Sequence, residues 1–277
     1  MMTSRFRVLK FCSEIVMSRI YQIHVDTSST TNSQTTVPGG TNSQVVPARV
    51  IYPNVVKQNN NPFNCTVILG QTHRRLRCVS LKCAEIPIGF YNVRAPYNIV
   101  TIGSTTYTVP PGSYNITTLC TAINTAITAT VGSFAPNAGS STVTFTSAVG
   151  SVALTSFAGS LPNLLYFLGF VNGQTGTVIT GTNSYMVNFD TYISIYIPNL
   201  RNSSLEPSFI TFKIPLTVAS GGIQYYSEKT QFGQELQIFD RMIMFDRLDI
   251  QVRDRFGQQL NNNGIDWSFT IEIESDT

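Results

Sequence analysis

The side chains able to do chemistry in this chain are few, and their spacing suits none of the common reactions. Only two histidines occur, His24 and His73, and the five cysteines (Cys12, Cys65, Cys78, Cys83 and Cys120) form no CxxC pair. A Cys/His zinc site takes four ligands at short paired spacing, so no metal is expected. Acyl transfer needs a nucleophile, a base and a group that orients the base. There is no GxSxG, His24 falls in an expected arm, and His73 sits in a basic cluster. Asp240, Asp246, Asp249 and Asp254 could offer the two carboxylates of a glycosidase. In IFDRMIMFDRLDIQVRDR, however, Asp240, Asp246 and Asp254 are each followed by Arg. That repeat favours ion pairing across a sheet surface or a subunit boundary. It makes Asp240, Arg241, Asp246 and Arg247 candidates for inter-subunit contact. Gly112, Gly132 and Gly139 are not followed by GK[ST], so no phosphate loop is present. The expectation is a protein without enzymatic activity, cofactor or small-molecule substrate.

The second group is His73-Arg74-Arg75-Leu76-Arg77. Arg74, Arg75 and Arg77 would suit an anionic partner such as nucleic acid or a membrane surface. No aromatics are interleaved to stack bases. The favoured reading is therefore a solvated loop, salt bridges to the acidic C-terminal third, or contact with a neighbouring subunit.

The elements that must position these residues read mostly as strands. ARVIY at 48–52, CTVILG at 65–70 and RLRCVSLKCAEIPI at 75–88 come first. YNIVTIG at 97–103 and TTYTV at 105–109 flank Gly103-Ser104 and read as a hairpin. Ile116, Leu119, Ile123 and Ile127 then recur at helical spacing, with Thr117 or Thr118 as the expected N-cap. Strands resume at 141–147, 152–157, 177–182, 185–189, 192–198, 209–216 and 221–227. In RLDIQVRD, Leu248, Ile250 and Val252 alternate with polar residues, and in DWSFTIEIE so do Trp267, Phe269, Ile271 and Ile273. FGQQLNNNG between them reads as a hairpin connection. Trp267 and Phe269 are expected core anchors, contributing roughly 4 kcal/mol together from burial alone.

Ten or more strands with one helix predict a mostly β fold, a single antiparallel sandwich or jelly roll. Residues 105–170 read as a small α+β insertion within a domain spanning 47–277. Residues 27–48 are polar and low in complexity, so 1–46 reads as an extended N-terminal arm. Met17 opens a second start, and residues 1–16 then read as an extension or a basic arm.

Composition narrows the function classes. Charged residues make up 12% of the 277, about half the usual share. They are also unevenly placed: residues 95–189 contain no Lys, Arg, Asp, Glu or His. Residues 1–94 carry eleven basic and three acidic side chains, and 190–277 carry seven basic and twelve acidic. Such a chain can pair head to tail with its own copies, or its opposite ends can meet within one domain. The neutral middle, rich in Thr, Ser, Asn and Tyr, suits a surface that neighbours cover. An odd number of cysteines without a disulfide pattern fits free thiols in a reducing compartment. No run of eighteen apolar residues is present to span a membrane.

YTVPPGSYNITTLCTAINTAI, STVTFTS and LPNLLYFLGF, within 107–170, resemble minor capsid and penton proteins of large eukaryotic double-stranded DNA viruses, virophages and related elements. The carrying positions are Gly112 and Tyr114, the helix from Thr117, and Leu168-Gly169-Phe170, with Leu168 and Phe170 as core anchors. DRLDIQVRDRFGQQLNNNGIDWSFTIEIE is similar to the same family's final hairpin, through Gly257, Asp266 and Trp267. The resemblance implies a single jelly-roll capsid component located in the virion and assembled in the host cytoplasm. It implies a penton forming a homopentamer at five-fold vertices, beside major and minor capsid proteins. A minor or cement protein, or a virion-borne carbohydrate- or receptor-binding sandwich, is the alternative. The basic N-terminal third could then meet an internal membrane or the genome.

Overall fold

A computed structural model describes residues 18–28, 49–51, 53–201, 209–228, 237–238 and 244–276. In chain order the strands begin with β1 (Ser18–Asp26), β2 (Arg49–Ile51), β3 (Asn54–Gln58) and β4 (Asn61–Pro87). Next come β5 (Ile99–Ile102), β6 (Thr105–Thr108), α1 (Ile116–Ile127), β7 (Gly132–Pro136), β8 (Val143–Ser147) and β9 (Val152–Thr155). They are followed by β10 (Phe157–Ala158), β11 (Leu161–Pro162), α2 (Leu164–Phe167), β12 (Gln174–Gly176) and β13 (Val178–Thr180). The last six are β14 (Tyr192–Arg201), β15 (Phe209–Pro215), β16 (Ile223–Ser227), β17 (Gln237–Ile238), β18 (Phe245–Arg253) and β19 (Ser268–Asp276).

β4 serves two sheets. Its first half pairs with β18, through Val67 opposite Leu248 and Cys65 opposite Ile250. Its second half pairs with β19, through Val79 opposite Ile273 and Ala84 opposite Phe269. The strand turns back near Gly70, where φ is +72°. Both ends therefore return to one end of the sandwich: the Pro62 carbonyl accepts from Trp267 at 2.7 Å, and Glu85 lies opposite Ser268. CTVILG and RLRCVSLKCAEIPI are thus two arms of one continuous strand.

Counting the two halves of β4 separately gives eight principal strands. The first sheet runs β1, β19, second half of β4, β16. The other runs first half of β4, β18, β14, β15. In chain order these are first-eighth-third-sixth and second-seventh-fourth-fifth, the strand order of a jelly roll, so the expected fold class holds. Between the sheets lies one core that includes Ile23, Phe63, Val67, Leu81, Ile195, Phe212, Ile250 and Ile271. Trp267 and Phe269 stack there at 4.4 Å, and both are buried.

In the barrel, three expectations change. β1 falls inside the segment read as an arm, yet it lies between β19 and β2. Its Tyr21, Ile23 and Val25 are buried in alternation, and burying that face outweighs the polar composition downstream. The final strands are not a hairpin, because β18 and β19 belong to opposite sheets. Residues 254–267 carry the chain across the end of the sandwich. Residues 185–189 form no strand; the Tyr185 and Met186 N–H groups bond instead to the carbonyls of Ser141 and Phe167.

Between β4 and β14 the chain builds a second core, drawn from residues between Val93 and Phe189, a wider span than 105–170. One sheet runs β12-β9-β5-β6 and the other β13-β8-β7. β5 and β6 form the expected hairpin over Gly103, with Ile102 opposite Thr105. α1 buries Leu119, Cys120, Ile123 and Ile127. Its N-cap is Asn115, two or three residues before the expected threonines: the Asn115 side chain accepts from the Thr118 N–H, while the Thr118 hydroxyl accepts from the Asn115 N–H.

Candidate functional site

The charge-free run is bounded by Arg94 and Asp190, and these two residues meet. Arg94 Nη2 lies 2.8 Å from Asp190 Oδ2 and 3.1 Å from Asp254 Oδ2. The Tyr97 hydroxyl donates to the same Asp254 oxygen at 2.7 Å. Asp254 Oδ1 accepts the N–H groups of Phe256 and Gln258, each at 2.9 Å, which shapes the turn after β18. The Arg94, Asp190 and Asp254 side chains are 12%, 4% and 0% exposed, so this is a buried cluster. It ties both ends of the insertion to the β18–β19 connection.

Burial pushes the Asp190 carboxyl up from its ordinary value, with the Arg94 guanidinium pulling the other way. Burial, then the hydrogen bond to Asp254, pushes the Tyr97 hydroxyl well above the usual phenol range. Arg94 bridges the two carboxylates, an arrangement that clamps distant parts of the chain together. Beside them a cavity of about 310 Å³ is lined by Phe90, Asn188, Asp190, Val218 and neighbouring residues. Among the described residues, no group of three His, Cys, Asp or Glu side chains is placed to hold a metal.

The motif glycines have concrete causes. The Tyr114 ring lies over Gly112, where a Cβ would come within 2.8 Å of it, and its hydroxyl donates to the Pro110 carbonyl at 2.9 Å. Gly169 has φ +88°, and a Cβ there would collide with the Asn183 carbonyl. Leu168 and Phe170 on either side are buried in the second core. Asp266 accepts from the Thr27 hydroxyl at 2.9 Å and pairs with Lys57.

The arginine cluster splits. His73 points inward, 4.5 Å from the Tyr21 ring and stacked on Phe245 at 5.3 Å, and burial lowers its pKa to about 4. Arg74, Arg75 and Arg77 are exposed. The register against β19 explains why. Asp276 faces Arg74, Ser275 faces Leu76 and Glu274 faces Cys78, leaving Arg75 and Arg77 as extra bulge residues. A third bulge adds Lys82, which contacts Glu228 at 2.8 Å and Glu272 at 3.0 Å. Arg77 lies 4.0 Å from Glu274. The arginines thus run alongside the acidic strand β19.

Asp246 and Arg247 sit exposed on β18, in the other sheet, with Arg247 opposite Ile68. Phe245, just before them, lies opposite His73 at the start of the arginine cluster. Asp240 and Arg241 lie outside the described residues. The third Asp-Arg pair behaves differently, since Asp254 is buried in the Arg94 cluster. Arg94 and Asp190 escaped the sequence reading, although the signal was present: they are the two charges that end the neutral run. Among the described residues, Cys65 and Cys120 are buried, Cys78 is half-buried and Cys83 exposed, and these four form no disulfide; Cys12 lies outside the described residues. Burial pushes Cys65 up to about 12.

No protein-family model matches the chain, and no curated protein matches it by sequence. Among solved structures, the mavirus penton protein shares 11% identity, covering 81% of this chain and 98% of its own, with a TM-score of 0.44. A chain of the Sputnik virophage structure shares 12% identity, covering 92% of this chain and 98% of its own, with a TM-score of 0.34. Both TM-scores are modest, and the assignment of the fold rests on the strand order: this chain is a jelly roll with an α+β insertion between its third and fourth strands.

Proposed function

We propose that this protein is a structural component of an icosahedral virus shell and that it forms the pentamer at five-fold vertices. The observation that carries the reading is the combination of a jelly roll with a charge-free insertion clamped to one end of it. A barrel of this kind is common to viral capsid and lectin domains. What favours the shell is the insertion, whose surface contains no ionisable group other than Tyr and Cys. Such a surface suits close packing among neighbours, where each buried charge would cost desolvation. The resemblance of residues 107–170 to penton and minor capsid proteins supports the same conclusion. In this role the protein meets copies of itself and the major and minor capsid proteins around it.

A ring of five repeats one heterologous contact until it closes. The full chain, purified and weighed by sedimentation velocity, is expected to form pentamers, and a particle reconstruction is expected to place them at five-fold vertices. A monomer or trimer that binds glycans and is absent from the shell would overturn the reading in favour of a carbohydrate-binding sandwich.

A further inference from the structure

Four strands converge on the His73 ring, and the residue is only 2% exposed. From β1 the Tyr21 ring meets it edge-on at 4.5 Å, and from β18 the Phe245 ring stacks on it at 5.3 Å. From β19 the Ser275 hydroxyl lies 3.5 Å from Nδ1, and from β4 itself Gln71 Nε2 lies 3.2 Å from Nε2. An amide NH2 can only donate, so the His73 Nε2 presents its lone pair and the ring is neutral, with Nδ1–H toward Ser275. A proton on Nε2 would set donor against donor.

Among the described residues, no carboxylate pairs with the ring; burial alone lowers its pKa, to about 4. The flanking charges on β4 are Arg74, Arg75 and Arg77, all exposed and all cations. On β19, Glu274 turns to the outer face, toward Arg77 at 4.0 Å and the Cys78 thiol at 3.5 Å, and Asp276 stands opposite Arg74 in register. On β18, Asp246 and Arg247 are exposed. On β1, Gln22 and His24 face outward, bonded to Glu272 at 3.2 Å and Thr270 at 3.0 Å. An imidazolium at this point would therefore be buried, unpaired and beside three arginines.

The three elements that close over the ring are not equally held. β19 is flanked by β1 and β4 and carries Phe269 into the core. β18 is flanked by β4 and β14. β1 has β19 along one side, and on the other, among the described residues, only the short strand β2 opposite Tyr21, Gln22 and Ile23. Of the three, β1 gives way with the least loss of pairing.

We propose that His73 is an acid-sensitive latch on the first strand: protonation of its ring breaks the Tyr21 contact and lets β1 come away from β19 while the rest of the barrel holds. The latch goes beyond the shell role proposed above and does not depend on it. A histidine is the side chain suited to such a switch near neutral pH. The ring titrates at about 4 when enclosed and at the ordinary 6.5 when freed, so the open form takes up the proton first as pH falls. The latch is closed above about pH 6.5, and the opening equilibrium rises about thirtyfold between pH 7.5 and 5.

Hydrogen exchange of the full chain at pH 7.5, 6.5 and 5, corrected for the intrinsic pH dependence of exchange, tests it. The opening constant of the β1 amides is expected to rise about thirtyfold over that range, and that of the β14 amides less than about threefold. His73→Phe keeps a ring between Tyr21 and Phe245 but cannot titrate. In it the β1 rise is expected to shrink to about threefold, the share left to His24, Asp26 and Glu272. His73→Gln is a second variant that cannot titrate, and circular dichroism checks that each folds. A β1 opening that stays flat in the parent, or rises as steeply in a folded variant, overturns the latch. So does a rise shared equally by β1 and β14, which marks loosening of the whole barrel. That comparison within the parent decides the matter even where a variant fails to fold.

Discussion

The barrel and the insertion solve the same problem with different surfaces. Each buries a closed apolar core, anchored by Trp267, Phe63 and Phe269 in one and by Phe134, Phe145, Phe167 and Phe170 in the other. In the barrel, charge rides on the outward positions of the strands and on bulges. In the insertion, the outward positions are Thr, Ser, Asn and a few apolar residues, including Val149 and Val178, each 63% exposed. The difference teaches that core formation does not require a charged exterior. Surface charge is instead free to follow what each surface must meet. The two regions join through the Arg94 cluster, where Arg94, Asp190 and Asp254 turn inward.

Breaking either core should cost most. Trp267→Ala removes the ring stacked on Phe269 and leaves the Pro62 carbonyl without its donor. Urea unfolding should show a loss of about 4–5 kcal/mol. Arg94→Met tests the joint: it strands Asp190 and Asp254 without their shared cation, at a cost of about 3–4 kcal/mol. Calorimetry should then resolve two transitions where the parent shows one. A single unsplit transition would mean that the barrel and insertion are coupled by packing rather than by this cluster. Gly169→Ala strikes the insertion alone, through positive φ and the Asn183 carbonyl, and should cost about 2–3 kcal/mol there.

Acid should separate the regions further, because the insertion has no histidine, Asp or Glu to titrate. His73 in the barrel core has its pKa lowered from 6.5 to about 4, so the unfolded chain binds its proton first as pH falls. Stability from this residue is complete above about pH 6.5 and is lost between there and about pH 4. His73→Phe should flatten that part of the pH–stability profile. The smallest folding effect is expected from Val149→Lys with Val178→Lys, under about 0.5 kcal/mol, since both are surface sites. Assembly should suffer instead, and intact particles carrying several such lysines would show that the insertion does not face its neighbours.

Much of the barrel was legible because period two is a local signal. Leu248, Ile250 and Val252, and then Trp267 through Ile273, alternate in the sequence and are buried in the structure. β1 shows the same alternation in Tyr21, Ile23 and Val25, but low-complexity residues following it drew the boundary too far along. The bulges of β4 were not legible as such. His73, Leu76 and Val79 point inward at spacings of three, which no single period predicts, and only the partner strand fixes which residue is extra.

Composition and periodicity by themselves determined that this chain is mostly β, that one helix packs by its Ile and Leu face, and that a long neutral segment separates two charged ones. Those properties follow from each residue's affinity for water and from the repeat of a strand or a helix. Tertiary structure alone decided that β18 and β19 lie in opposite sheets, that His73 turns inward while Arg74, Arg75 and Arg77 turn outward, and that Arg94 closes on Asp190. Each of these joins residues far apart in the chain, and a contact between distant residues is set by how the sheets fold over one another.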